Sequence, residues 1–172
     1  MKNNFVVVGM VGSGQVYEDE ERKDLFFFHM YVYVNEKNKR YVRVYIKNKR
    51  KISDTKERIV RCTGHIEAQY ANESVKMYLI ADTMELVSAS ETFENLVTLE
   101  GIVFRRPFYK VENGKGNCMT LLKTGQDILA CTLNGKVYDE IVRAYQSGEE
   151  ISLGVHVDVR KEKGKTCLEL TQ

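Results

Sequence analysis

Apolar and polar residues alternate with a period of two along most of the chain, which is the pattern of half-buried β-strands. In the first half this alternation predicts five strands separated by polar turns. The first begins at residues 5–8 and is interrupted by Gly9, and the others lie at residues 25–34, 41–46, 59–69 and 75–81. The polar stretch 47–58 leaves room for one or two helical turns between the third and fourth strands. The first half is therefore predicted to be all-β with one short helical connection.

The same order of elements returns in the second half, after a short polar linker at residues 89–94. Strands are predicted at residues 95–104, 117–123, 127–133, 150–159 and 166–170, and residues 105–116 are predicted to form a loop. A helix is predicted between the third and fourth strands, because Val137, Ile141, Ala144 and Tyr145 share one helical face and Gly148 suits the C-terminal cap.

Glycine occurs inside the predicted first and fourth strands of both halves, at Gly9, Gly64, Gly101 and Gly154. Strand glycines mark bulges or sharp bends, which five short strands need in order to close on themselves. The sequence thus predicts two tandem five-stranded OB-fold barrels, at residues 1–88 and 95–172. Two generic antiparallel sheets are the alternative.

The composition is that of a folded globular protein, with 172 residues, 43% hydrophobic and 29% charged. No apolar run approaches the roughly 20 residues of a membrane span, and the first apolar run stops at Gly12, too early for a secretory signal. We therefore expect a cytoplasmic protein with no membrane partner. The four cysteines form no C-x-x-C motif and the three histidines lie far apart, so neither a metal nor another cofactor is expected.

Positive charge is concentrated in one segment, although the net charge of the whole chain is only +2. Residues 37–61 contain 11 basic and two acidic residues, a local charge of +9. Residues 89–172 contain 11 basic and 12 acidic residues, a net charge of −1. Charge asymmetry of this size predicts a polyanionic partner for the first half.

The hairpin formed by residues 25–46 has two different faces. Its aliphatic positions share one face and should form the barrel interior: Phe26, Phe28, Met30, Val32, Val34, Val42, Val44 and Ile46. The opposite positions are predicted to lie outside: Phe27, His29, Tyr31, Tyr33, Tyr41, Arg43 and Tyr45. An exposed sheet face of aromatic rings is suited to stacking nucleobases, and OB-folds bind oligonucleotides on this part of the barrel.

Two basic groups are predicted to complete the interface. Cations beside the aromatic hairpin should contact phosphates: Lys39, Arg40, Lys47, Lys49, Arg50, Lys51 and Arg58. A second contact loop is predicted in the second half: Arg105, Arg106, Phe108, Tyr109 and Lys110. The only basic helical candidate, residues 51–58, is too short to read a duplex groove, which favours single strands. In the alternative interpretation, the tyrosines reflect β-propensity or cover a neighbouring domain, and the cations are a solvated face.

Two segments carry a resemblance to a known family. The run Asn95-x-Val97-x-Leu99-x-Gly101-x-Val103, followed by Pro107, is similar to the opening strand of bacterial-type single-stranded DNA-binding proteins. Residues 148–157, Gly-Glu-Glu-Ile-Ser-Leu-Gly-Val-His-Val, resemble the fourth strand of that family, and Val60-x-x-x-Gly64-x-Ile66 matches it more loosely. The resemblance implies an OB-fold that binds single-stranded DNA, in replication, recombination or mobile-element transfer.

No arrangement of residues predicts catalysis. Cys62 and His65 are three positions apart in a predicted strand and would face opposite sides, and residues 9–14 lack the lysine of a phosphate loop. We expect a non-enzymatic protein. Two other functions stay open: an adaptor that binds replication or transfer proteins, and an RNA-binding protein. The outer face of the second hairpin is a candidate surface for homo-oligomers or for docking onto the first domain.

Overall fold

The computed structural model describes residues 1–88 and 94–172, without the side chains of Arg50 and Lys51. The elements of the first half are β1 (Asn3–Val11), β2 (Tyr17–Glu18), β3 (Phe26–Tyr33), β4 (Lys39–Ile46), α1 (Arg50–Ser53), β5 (Ile59–Ala71) and β6 (Ser74–Leu86). The elements of the second half are β7 (Asn95–Val103), β8 (Phe108–Glu112), β9 (Lys115–Thr124), β10 (Asp127–Asn134), a 3₁₀ turn (Gly135–Val137), α2 (Tyr138–Ser147), β11 (Glu150–Glu162) and β12 (Lys165–Thr171). All of the predicted linker except Glu94 lies outside the described residues.

The twelve strands of the described residues belong to one hydrogen-bonded sheet that closes on itself twice. In the first half, β1 pairs with both β3 and β5, and the circuit continues through β4 and β6. In the second half, β7 pairs with both β9 and β11, and the circuit continues through β10 and β12. The predicted all-β fold class is confirmed, and the division into two tandem domains stays a prediction.

The two halves are joined by antiparallel pairing of β1 with β7, in which Phe5 lies opposite Val97. An asparagine begins each of these strands and extends the ladder with its side chain. The amide of Asn3 both donates to and accepts from the backbone of Ile66, and the amide of Asn95 does the same with Val157, at 2.7–3.0 Å. Buried apolar side chains of both halves form one continuous core.

Gly9 and Gly101 mark the points at which β1 and β7 exchange one neighbouring strand for another. β1 pairs with β7 as far as Val7 and with β3 from Gly9 onward. Likewise, β7 pairs with β1 as far as Leu99 and with β9 beyond Gly101. A Cβ atom at Gly9 would overlap the carbonyl oxygen of Tyr31, and one at Gly101 would overlap that of Lys123. The glycines therefore permit the close approach that closes each circuit, and β1 continues through Gly9 instead of breaking there.

Gly64 and Gly154 have different roles despite their similar places in the sequence. Gly64 lies at a bulge between β5 and β6, and a Cβ atom there would overlap the carbonyl oxygen of Ile80. Gly154 has open space around the position of a Cβ atom, with no atom within 4 Å. Only the first of the two is needed for a close backbone approach.

The loop predicted at residues 105–116 is wrong, because β8 forms an antiparallel hairpin with β9 there. All five residues of β8 are exposed, so this strand has no alternation that a sequence pattern could reveal. The predicted helix is confirmed in α2, which ends at Gly148 in the left-handed conformation (φ 70°). No helix in the described part of the chain is long and apolar enough to cross a membrane.

The β5–β6 hairpin is longer than predicted and reaches the second half. The backbone N–H of Ala68 donates to Asp127 at 2.8 Å, and Tyr70 packs edge-on against Phe104 at 5.7 Å between ring centroids. Glu73 at its tip pairs with Arg105 at 3.2 Å. The hairpin thus provides a second connection between the halves, beside β1 and β7.

Replacement of Gly64, which is crowded, should destabilise the fold much more than replacement of Gly154, which has open space around it. We expect Gly64→Ala to lower the free energy of unfolding by about 2–3 kcal/mol, as overpacking of a core does. Gly154→Ala should change it by less than about 0.5 kcal/mol, since its Cβ meets no neighbour. Chemical denaturation followed by circular dichroism measures both, and equal effects would contradict the assignment.

Candidate nucleic-acid interface

The outer surface of β3 and β4 carries a patch of aromatic and basic side chains, here called the tyrosine face. Its members are His29, Tyr31 and Tyr33 on β3, and Tyr41 and Arg43 on β4. Strand alternation places them together, because Val32, Val42 and the other intervening residues are buried in the core. Tyr31 lies directly opposite Tyr41, and these side chains are 40% and 42% exposed.

Three rings of the tyrosine face, those of His29, Tyr31 and Tyr41, contact one another. His29 lies parallel to Tyr41, with 4.5 Å between ring centroids and 9° between planes. Tyr31 is tilted against the same Tyr41 ring at 4.7 Å. The backbone N–H of Gly12 donates to the carbonyl of His29, so the glycine-containing turn after β1 borders this edge. The result is a continuous aromatic platform, held on rigid strands.

Burial shifts the ionisation of two members of the platform. Burial, and to a smaller degree the Arg43 cation, lowers the pKa of His29, so its imidazole is neutral at physiological pH. Burial also raises the pKa of Tyr41, which keeps its hydroxyl protonated. Neutral rings stack on nucleobases without the desolvation cost that a charged ring would incur.

The prediction that Phe27 and Tyr45 lie on the outer, exposed face is wrong, because the structure buries both side chains. Together with Leu25, Tyr78 and Ile80 they form a separate small core on the outer side of the hairpin. Phe27 is only 9% exposed and Tyr45 5%. Tyr78 and Ile80 come from β6, a distant part of the chain, which is why alternation within the hairpin could not reveal this cover. Neither ring offers a free face to a base.

Residues that the sequence analysis missed extend the tyrosine face at its borders. Tyr17 of β2 is exposed and stacks on Phe27, with 5.4 Å between ring centroids. Met10 of β1 lies opposite Tyr31 and is also exposed. The pairing of β1 and β2 with β3 brings both residues to this surface.

The structure places Lys39 and Arg43 against aromatic rings of the hairpin and leaves three further predicted cations exposed. The Lys39 ammonium lies 5.4 Å from the centre of the Tyr33 ring, and the Arg43 guanidinium lies 3.9 Å from that of Phe27. Lys47, Lys49 and Arg58 are exposed. The predicted contacts of Arg50 and Lys51 concern side chains outside the described part of the structure.

The prediction that Arg40 lies beside the aromatic hairpin and contacts phosphates there is also wrong. It shares the interior parity of Val42 and Val44, so it projects from the opposite side of β4 to Tyr41. Its guanidinium pairs with Asp158 of β11 at 3.1 Å. Arg40 therefore connects the two halves instead of flanking the tyrosine face.

The predicted second contact loop is divided between a turn and β8. Arg105 lies over the Tyr70 ring at 5.6 Å and pairs with Glu73, while Lys110 pairs with Glu112. Arg106, Phe108 and Tyr109 are exposed. The strand β8 is at the opposite end of the sheet order from β2 and β3, so this group is separate from the tyrosine face.

A chain of ion pairs on β5 and β6 was not predicted from the sequence. His65 lies between Asp82, at 2.8 Å, and Glu67, at 3.1 Å, and Glu67 also binds Arg22. Lys47 approaches the same Glu67 at 3.9 Å, which connects this network to the cations of the interface. Burial disfavours the imidazolium, but the two carboxylates outweigh it and raise the pKa of His65.

Comparison with known proteins identifies the fold. No family model and no curated protein matches the sequence. The wild-type single-stranded DNA-binding protein of Thermus aquaticus has a similar structure, with a TM-score of 0.65, 12% identity, and coverage of 98% of this chain and 90% of that one. A deletion mutant of the same protein gives a TM-score of 0.67 and 13% identity, covering 98% and 91%. The chain therefore has the OB-fold-like architecture of these proteins.

Stability should depend on pH through His65. Because its pKa is raised in the folded protein, its stabilisation is complete below the unfolded value of about 6.5 and is lost as pH rises through the folded value. We expect His65→Gln to destabilise the protein more at about pH 5.5 than at about pH 8.5, by up to about 1 kcal/mol for a partly exposed site. Thermal unfolding at the two pH values measures this difference. An equal or larger penalty at the alkaline value would contradict it.

Proposed function

We propose that this protein binds single-stranded DNA on the tyrosine face, without strong sequence preference. The observation that carries the proposal is the platform of His29, Tyr31 and Tyr41, in which the exposed rings of Tyr31 and Tyr41 lie side by side on two paired strands. Each base that stacks on such a ring contributes about 1–3 kcal/mol, whatever its identity. A duplex hides the faces of its bases, so the platform favours single strands.

Phosphate contacts complete the mechanism. Lys39, Arg43, Lys49 and Arg58 are exposed cations of the segment 37–61, which carries a net charge of +9. They would neutralise the backbone while the rings hold the bases, and the released counterions would make binding depend strongly on salt. Lys47 contributes in the same way when it leaves Glu67.

The fold supports this assignment, since the Thermus aquaticus proteins of similar structure bind single-stranded DNA. We extend the interface to the second half, where Arg105, Arg106, Phe108, Tyr109 and Lys110 offer further cations and rings. The role that we propose is to protect or organise single strands in the cytoplasm, during replication, recombination or mobile-element transfer, without catalysis.

Loss of the two exposed tyrosines should weaken binding strongly. We expect Tyr31→Ala with Tyr41→Ala to reduce the affinity for labelled dT oligomers by at least tenfold, since each lost stack is worth about 1–3 kcal/mol. Fluorescence anisotropy at moderate salt measures the effect. Tyr145→Ala is the matched control, because Tyr145 is also 40% exposed but lies on α2.

Three results would distinguish the alternatives. Unchanged affinity in the folded double variant would remove the stacking mechanism. Tighter binding of rU than of dT oligomers would make the protein an RNA binder. Absence of any nucleic-acid binding at low salt would leave the tyrosine face as a docking surface for a protein partner.

The salt dependence of DNA binding should distinguish Lys39 and Lys49, which we expect to contact phosphates, from Arg40, which we do not. For single strands each phosphate contact contributes about −0.7 to the slope of log K against log salt. Lys39→Gln with Lys49→Gln should therefore make the slope shallower by about 1.4. Arg40→Gln should leave the slope unchanged, because Arg40 is paired with Asp158 on the other side of β4. A slope change for Arg40→Gln alone would contradict this geometry.

A further inference from the structure

A cleft on the second half lies between β8, the ends of β10 and β12, and the 3₁₀ turn. Its volume is ≈ 520 Å³, within the range of about 300–1,000 Å³ that is usual for small-ligand sites. Tyr109 is one of the lining residues, and the polar lining includes Asn134, Lys136, Glu169 and Gln172. The cleft therefore combines an aromatic surface with hydrogen-bonding groups.

The Tyr109 ring is held in place by glycine. A Cβ atom at Gly116 would overlap the Tyr109 hydroxyl, and one at Gly135 would lie 2.7 Å from its Cε2 atom. Tyr138 contacts the ring edge-on, with 5.8 Å between ring centroids. Tyr109 is nevertheless 52% exposed. The ring is thus supported by backbone and by Tyr138 while it keeps a large accessible surface.

The polar lining offers both hydrogen-bond acceptors and hydrogen-bond donors to a ligand. Burial raises the pKa of Glu169, whose carboxylate receives a long hydrogen bond from Thr132 at 3.4 Å. The side-chain oxygens of Asn134 and Gln172 accept from backbone N–H groups, which leaves their NH₂ groups to donate. A ligand that offers N–H donors to Glu169 and an acceptor to the amides would satisfy all three.

We propose that this cleft binds one guanine of the bound strand, an inference that rests on the proposed function. Guanine presents two adjacent N–H donors, N1–H and N2–H₂, to which a carboxylate can bind with both oxygens. Its O6 atom would accept from an amide or from Lys136, and its ring would stack on Tyr109. Thymine offers one N–H donor flanked by two carbonyl oxygens, and these oxygens repel a carboxylate. The cleft would thus add base selectivity to otherwise sequence-tolerant binding.

The test compares three oligomers: dT throughout, dT with one central dG, and dT with deoxyinosine, which lacks the N2 amino group, in the same place. We expect the dG oligomer to bind the full chain about tenfold tighter than dT, as for a bidentate base contact, with inosine losing most of that gain. Glu169→Gln should abolish the preference, and Tyr109→Leu should reduce it. Glu162→Gln, at an exposed Glu paired with Arg160, and Tyr145→Leu are the matched controls.

The dT arm separates failure of this inference from failure of the proposed function. Tight dT binding with no gain from dG, or a gain that survives Glu169→Gln in the folded protein, would overturn the guanine site alone. Absence of binding to every oligomer would overturn both. Free dGMP, followed by amide shifts at Gly116 and Gly135, tests the other source of the base: shifts there without any dG preference in the strand would overturn the assignment to a strand.

Discussion

The antiparallel pairing of β1 with β7 is the constraint on which the rest of the structure depends. Without this pairing, β1 and β7 would each leave unpaired backbone N–H and C=O groups at an open edge. In the structure these groups hydrogen-bond to one another. The Asn95 side chain adds a bond to the carbonyl of Tyr33, at the end of β3. Arg40 and Asp158 connect β4 to β11 in the same region. Both strands of the tyrosine face are therefore fixed to the joint between the halves.

Preorganisation of the rings is what makes this surface suitable for stacking. Strand backbones fix the spacing, and contacts between neighbouring aromatic rings, each worth about 0.5–1.5 kcal/mol, limit the rotamers before any ligand arrives. The buried Phe27 and Tyr45 contribute indirectly, since Phe27 supports the Arg43 guanidinium. Phe27 thus holds in place a cation that the proposed interface uses.

Local alternation was sufficient to predict most strands, the core face of the aromatic hairpin and the exposure of Tyr31 and Tyr41. It was insufficient wherever a distant segment decides the environment. Phe27 and Tyr45 are covered by Tyr78 and Ile80 of β6, and β8 has no buried residue to reveal it. Arg40 is a different case, because its parity with Val42 already indicated the wrong side for the tyrosine face. Its partner Asp158, 118 residues away, could not be predicted.

The pairing of β1 with β7 has a consequence for divergence. Both strands follow the pattern Asn-x-apolar-x-apolar-x-Gly-x-Val, and equivalent positions meet: Phe5 faces Val97, and Asn3 faces Leu99 while Val7 faces Asn95. This is the geometry of an isologous dimer interface, in which two identical chains must change together. Here a single chain supplies both sides, so a substitution acts once and each half is free to specialise. The charge of +9 in residues 37–61 beside −1 in residues 89–172 is an asymmetry that identical subunits could not have acquired.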